Sequence, residues 1–289
     1  ARLIDPGDGS TFSLLSNLLQ RMLVNPFNAL GEMNVLGILV GAILLGLAAA
    51  ITLPTDSALP KIFEELAQVT YKLAGWVLTT LPIGLFAITF QLAQKIDFST
   101  LIALGQLAGV VFGGTLFHGL IVLPTIAWLV SGIKPWQFLR AVNQPMLTAF
   151  FTSSSAATLP LSMSTAQTNL GVDRARSAFV LPLGATANMD GTALFEGIAA
   201  VFLAYMFGIE LGTTGVVAIF LVAMLSSVGA PGIPSGSMAG MQMVLLAVGI
   251  PLEAIGLLLL IERPLDTFRT AVNVEGDLVG CLVAKRFAS

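Results

Sequence analysis

Toward the C-terminal end the chain carries Asp266, Arg269, Asn273 and Asp277. Offsets of three, four and four put these residues on one face of a helix. The flanking residues are mostly apolar. Inserting a charge at the centre of a membrane helix costs about 2.5–3.5 kcal/mol, while each Leu, Ile, Val or Phe returns about 0.3–0.6 kcal/mol. Three charges outweigh that return, so the stripe must look into protein, water or a bound ligand. A planar guanidinium suits a carboxylate, which makes recognition of an acidic ligand one chemistry open to Arg269. The other is a structural ion pair with Asp266, which leaves Asn273 and Asp277 without a role.

A second group is Gly184-Ala185-Thr186-Ala187-Asn188-Met189-Asp190-Gly191-Thr192. The glycines loosen a helix locally and free carbonyl oxygens. Carbonyl, amide and carboxylate oxygens are what a hard cation such as Na⁺ takes. The alternating carboxylates and closing Glu of an EF-hand are absent, and capping alone does not require Asp190 at membrane depth. Glu196 lies six residues after Asp190. At that depth it is either a proton carrier or the partner of a base such as Arg269. Thr152–Ser155 offers hydroxyls and backbone amides near helix N-termini, an anion site in outline, although serine in a membrane helix often bonds back harmlessly. Gly229–Ser237 reads as a flexible gate. His118 is read as core packing, Trp136 as an interface anchor, and Cys281 as bland.

These residues must be positioned by membrane helices. Charged residues are 10% of the 289 and hydrophobic residues 56%, against roughly 25% charged in a soluble domain. Disorder is excluded by the same numbers. Net charge is −3 with scattered basic residues, so no nucleic-acid partner is expected. One Cys and one His exclude an intrachain disulfide, a multi-cysteine zinc site and His-rich metal chemistry. No nucleophile–base pair suggests an enzyme. Residues 33–55, 73–94 and 98–133 carry no charge and are long enough to span a bilayer. Residues 61–72 form an amphipathic lead-in, with Ile62, Phe63, Leu66 and Val69 opposite Glu64, Glu65 and Gln68. Residues 141–172 and 211–252 are also charge-free but broken by serine, glycine and proline. Broken backbone survives at membrane depth only where protein or a wet cavity satisfies it. Both therefore read as helical hairpins entering and leaving by the same face, each followed by a continuous span, 177–209 and 254–283. Duplicated broken elements point to a transporter site at the midplane. Lys134, Arg140, Arg174, Arg176, Lys285 and Arg286 place the first hairpin and the C-terminus on the cytoplasmic side, with Lys95 dissenting. The chain starts at Ala1 without a signal peptide, and is expected to begin inside a longer polypeptide.

The stretches SSSAATLP (153–160), NMDGT (188–192), GAPGIPSG (229–236) and DTFRTAVNVEGD (266–277), with MNVLG (33–37) and HGLIVLP (118–124), closely resemble the glutamate/neutral amino acid transporters, the dicarboxylate/amino acid:cation symporters. The resemblance covers nearly the whole chain. It implies an all-α integral membrane protein of elevator type, with two re-entrant hairpins in an inverted repeat. Residues 1–11 would end a third transmembrane helix. Residues 12–95 would be scaffold and trimerisation helices four and five. Residues 96–289 would be a transport domain of helix six, hairpin 1 (about 138–172), helix seven (173–209), hairpin 2 (about 213–250) and helix eight (253–286). Earlier helices of the family have no counterpart here. The resemblance further implies a homotrimer in the plasma (inner) membrane, with Na⁺ as transported co-ion and a possible H⁺.

Residue by residue, Arg269 matches the position that grips a side-chain carboxylate, and Asp266 the one that holds the substrate amine. Asn273 and Ser155 match contacts to the α-carboxylate and Thr192 a contact to the distal one. Ser154, Ile233, Pro234 and Thr270 complete the implied substrate set. Gly184, Asn188, Asn273 and Asp277 match one Na⁺ site. Thr186, Ser227, Val228 and Ala230 match a second, and Asp190 a third. Glu196 matches a proton-carrying Glu. Family members usually carry a further Arg at the place of Ser153 or Thr267; this chain has it at neither. The expectation is Na⁺-coupled symport of aspartate or glutamate. The alternatives are a C4-dicarboxylate or neutral amino acid carrier, a non-transporting truncated chain, or an anion pore.

Overall fold

The computed structural model describes residues 20–287 apart from 21, 33, 55, 81, 82, 85, 88, 89, 91–96, 229, 231, 233 and 234. The expected helix end at 1–11, the break at Pro82, and Lys95 lie outside the described residues. So do Ile233 and Pro234, and the span 73–94 is described only in part. All described regular structure is helical.

The chain divides into two compact units. Within Leu19–Phe98 the described residues include three helices. A short α1 (Pro26–Gly31) starts with proline, whose missing N–H is no loss at a helix start, and Asn25 Oδ1 caps it by accepting from Phe27 N at 2.9 Å. α2 (Val35–Thr52) is capped in the same way by Asn34, which accepts from Gly37 N at 3.3 Å. The Pro26 ring lies against Gly41 where α1 packs on α2. α3 (Ala58–Thr79) joins the amphipathic lead-in and the start of the next span in one helix. Its apolar residues Ile62, Phe63, Leu66, Val69 and Trp76 are exposed. Apolar exposure on this scale marks a surface that meets lipid or other protein.

The second unit begins with α4 (Phe98–Ser131), which matches the expected span and ends at Gly132 in the left-handed region. Five residues of α4, His118–Val122, form a π-turn. α5 (Pro135–Thr152) and α6 (Ser155–Thr168) are joined by Ser153 and Ser154 alone. Ser153 takes φ 49° to end α5, and Ser154 Oγ accepts from Ala157 N at 3.2 Å to start α6. Asn169 Nδ2 at the far end donates to Ala141 O at 2.8 Å, which ties the two helices antiparallel. α9 (Thr213–Val228) and α10 (Ser237–Val248) also pack on each other.

Between these pairs the expected continuous helix over 177–209 is two helices, α7 (Arg174–Ala187) and α8 (Asp190–Met206). Asn188 and Met189 leave helical geometry between them. Pro182 and Gly184 weaken the last turns of α7, and Asn273 then takes the freed amides at the start of α8. The last helix, α11 (Ile255–Phe287), is continuous and contacts α4 to α8 and α10. Every residue from Val272 to Val279 is buried, as befits a helix surrounded by others. α4 and α11 run parallel: Phe112 meets Phe268 edge-on at 4.9 Å, and Arg286 Nη1 donates to Val130 O at 3.0 Å. Two uninterrupted or once-broken stretches, Phe98–Ser131 and Arg174–Met206, are long and apolar enough to cross a membrane.

Candidate functional site

The polar stripe of α11 faces inward. Arg269 is fully buried. Its Nη2 donates to Glu262 Oε1, Asp266 Oδ1 and Ser237 Oγ, each at 3.1 Å, and its guanidinium carbon stands 4.0 Å from the Phe195 ring centre. Nε and Nη1 are buried without a partner. The expected Asp266–Arg269 pair is therefore present, but it has a third member. Glu262 continues the stripe one turn back, at the same spacing of four. Its other oxygen accepts from Ser235 Oγ at 3.0 Å, while Asp266 Oδ2 accepts from Ser235 N at 3.1 Å. Ser235 holds φ 61° at this point.

One and two turns further on, Asn273 acts on α8. Its Oδ1 accepts from Gly191 N at 2.8 Å and Thr192 N at 3.4 Å, and its Nδ2 donates to Thr192 Oγ1 at 3.2 Å. These bonds satisfy amides that the break exposes. Gly191 has to be glycine, since a Cβ there would come 2.7 Å from Arg269 O. Asp277 accepts from Asn188 Nδ2 at 3.0 Å, and its carboxylate lies against Gly184. Gly184, Asn188 and Asp277 are thus together. Asn273 joins them through the α8 amides rather than by direct contact.

The turns of the two helix pairs meet. Ser154 Oγ donates to Gly232 O at 2.8 Å, and Ala156 N donates to the same oxygen at 3.4 Å. Behind this joint is a narrow cavity of about 10 Å³. The turns supply Ser153, Ser155, Gly232, Gly236 and Ser237 to its wall. Thr192, Asp266, Thr270 and Asn273 supply the rest of its polar lining. The expected substrate residues Ser155, Thr192, Asp266, Thr270 and Asn273 are therefore gathered there; Ser154 is at the joint, and Arg269 lies one layer behind. The anion site expected near Ser154 has several of its amides already occupied in this arrangement. The amides of Ser154, Ala156 and Ala157 are taken by Thr152 Oγ1, Gly232 O and Ser154 Oγ.

The other expected residues are more dispersed. Thr186 is exposed and bonds back to Pro182 O and Leu183 O, so its hydroxyl does not turn toward Asp277. Ser227 Oγ likewise bonds back to Met224 O at 2.9 Å, and Ala230 is buried. Ser227 and Val228 share a largely apolar cavity of about 750 Å³ with Asn188 and Asp190. His118 Nε2 and Asp190 Oδ2 stand 2.7 Å apart, so His118 is a hydrogen-bond partner rather than plain core packing. Glu196 is buried and accepts from Ser226 Oγ, not from Arg269; its Oε1 has no partner. Trp136 is exposed with the Lys134 ammonium 5.2 Å from its ring, as an interface anchor would be. Among the described residues no three His, Cys, Asp or Glu side chains gather as a metal cluster.

Sequence reasoning passed over Glu262, Ser237 and the His118–Asp190 pair. Glu262 was within reach, because the offset of four to Asp266 extends the stripe already seen. The other two depend on folding that brings distant segments together.

The family model described as "Sodium:dicarboxylate symporter family" matches residues 5–287. Mouse neutral amino acid transporter B(0) is 40% identical over 86% of this chain and 45% of its own length. Mouse excitatory amino acid transporter 3 is 35% identical over 98% of this chain and 56% of its own. An excitatory amino acid transporter of Caenorhabditis elegans is 33% identical over 99% of this chain and 58% of its own. The chain spans about half the length of the curated relatives it matches. The family and these relatives are transporters, not enzymes. With its helical build and a polar stripe buried among apolar helices, the chain belongs to the sodium:dicarboxylate symporter family.

Proposed function

We propose that this chain forms the substrate-carrying part of a secondary active transporter that couples uptake of an acidic amino acid, aspartate or glutamate, to Na⁺. The observation that carries the acidic reading is Arg269. It is held by Glu262, Asp266 and Ser237 through one nitrogen, while Nε and Nη1 are buried and unmatched behind the cavity. A distal carboxylate on the ligand would match them. Asp266 would meet the ligand amine, which disfavours a plain C4-dicarboxylate, and Ser155, Thr192, Thr270 and Asn273 would bind the remaining oxygens. Relatives named for neutral and for excitatory amino acids both match, so the substrate rests on this residue.

Na⁺ would be held by Gly184, Asn188, Asn273 and Asp277, with further ions at Asp190 and at Thr186, Ser227, Val228 and Ala230. Glu196, with one oxygen unmatched, is the candidate for any coupled proton. The two helix pairs act as re-entrant hairpins and the unit from residue 96 onward as the moving part of an elevator, with residues 12–95 as trimer scaffold and the C-terminus cytoplasmic. Coupling follows from charge: closing the joint over Asp277 and Asp190 without cations would bury unpaired carboxylates, which is costly.

The test is uptake of aspartate and serine into proteoliposomes by the wild type and Arg269→Ala. Loss of Na⁺-driven aspartate uptake, with or without a gain in serine uptake, is expected. Unchanged aspartate uptake would reduce Arg269 to a structural ion pair. Serine uptake by the wild type at the aspartate rate would identify a neutral carrier instead.

A further inference from the structure

Glu275 lies on α11 between Asn273 and Asp277, off the cavity face. It is fully buried, and neither carboxylate oxygen has a hydrogen-bond partner. The group is aimed at α4. A Cβ on Gly119 would come 3.2 Å from Glu275 Oε2, so the carboxylate rests on that glycine, inside the π-turn. The two helices run in register here. Arg286 and Val130 are 156 positions apart, as are Phe268 and Phe112, and so are Glu275 and Gly119. Side chains of a helix lean toward its N-terminus. Glu275 therefore leans toward the level of Thr115, one turn before Gly119. Thr115 is 1% exposed, and its hydroxyl also lacks a partner.

An unmatched carboxylate at this depth is expensive. A second carboxylate, Asp190, lies against the neighbouring Gly276, where a Cβ would come 2.9 Å from Asp190 Oδ2. The basic partner at Asp190 is the His118 imidazole. A proton on Glu275 would cancel its charge, whereas a cation would cancel it and draw on both oxygens. A small hard cation draws oxygen ligands from carboxylate and hydroxyl alike. The donors are oxygens without Cys, which selects against softer metals. π-turns recur at functional sites.

We propose that Glu275 of α11 and Thr115 of α4 form a monovalent-cation site of their own, with Gly119 leaving room for the carboxylate. The choice of Na⁺ as the ion rests on the function proposed above.

The full-length chain is melted in detergent without amino acid across a NaCl series, with choline chloride holding ionic strength and pH fixed. Glu275→Gln, Thr115→Val and Gly119→Ala are compared with the wild type. Each is expected to raise the Na⁺ concentration for half-maximal stabilisation about tenfold or more, or to lower the steepness of the Na⁺ titration by one ion. Thr115→Val keeps shape and removes the oxygen, so it carries the test should Glu275→Gln fail to fold. Three titrations overlaying the wild type would overturn the proposal. So would an effect confined to the pH dependence, which would mark a protonated carboxyl. Aspartate binding at saturating Na⁺ is a separate readout. Its absence in the wild type would remove the acidic-substrate reading, while the Na⁺ titrations still decide the site.

Discussion

Gly184 and Gly105 both sit inside helices, yet their surroundings differ. A Cβ on Gly184 would collide with the Asp277 carboxylate, whereas one on Gly105 meets nothing within 4 Å. Gly184→Ala should therefore cost about 1–3 kcal/mol, the range of overpacking, and should raise the Na⁺ needed for stabilisation. Gly105→Ala should gain up to about 1 kcal/mol, since alanine loses less backbone freedom than glycine. Thermal melting in detergent with and without NaCl separates the two. Glu262 calls for a second comparison. Removing its charge by Glu262→Gln leaves Arg269 with Asp266 as its one anionic partner, so aspartate affinity should rise or hold while stability falls. Removing Arg269 leaves Glu262 without its ion-pair partner and Asp266 with only the longer Arg263 contact at 3.5 Å, and should cost about 3–5 kcal/mol. Equal losses in the two variants would contradict this ranking. At this scale the stripe of α11 was legible in the sequence because helical spacing alone puts 266, 269, 273 and 277 on one face, with Glu262 one turn back left unread. The pairing of His118 with Asp190 was not, since it joins residues 72 positions apart.

Side-chain caps start α1, α2, α6 and α7, and α7 shows how one responds to pH. Asp173 accepts from Arg176 N at 2.9 Å and pairs with the Arg176 guanidinium. That backbone amide, and then the guanidinium, hold the Asp173 carboxyl below the usual aspartate value of 3.8. The folded group thus stays ionised where the unfolded chain has begun to protonate. Its contribution is complete above pH 3.8 and is lost as pH falls through the lower folded value. Asp173→Asn should lower the melting temperature at neutral pH, and the gap from wild type should close as the buffer is taken progressively below that point. Faster amide exchange in the first turn of α7 should accompany the loss. Element existence was readable in advance: residues 98–133, the two broken stretches and the final helix all appear as helices close to the expected bounds. The split of 177–209 was not, because the sequence shows loosening glycines but not that Asn273 captures the exposed amides of Gly191 and Thr192. That capture is a tertiary effect, invisible to any local rule.

As a whole the second unit is built around α11, which carries much of its buried charge. Such a core is tolerable only when each carboxylate has a counter-charge, so ligands should act as stabilisers. A cation that binds only the folded state adds about 2.7 kcal/mol at a hundredfold excess over its dissociation constant. NaCl should therefore raise the melting temperature well beyond choline chloride at equal ionic strength, and aspartate should add to the effect only when Na⁺ is present. A melting temperature indifferent to the choice of cation would sink the coupling scheme. The joint between the two turns sets what happens next. Ser154 Oγ and Ala156 N both land on one acceptor, Gly232 O. Each bond is worth a net of about 1 kcal/mol once water can replace it. The seam between the turns is therefore a contact of about 2 kcal/mol hung on one carbonyl, and both bonds are lost together if that oxygen moves.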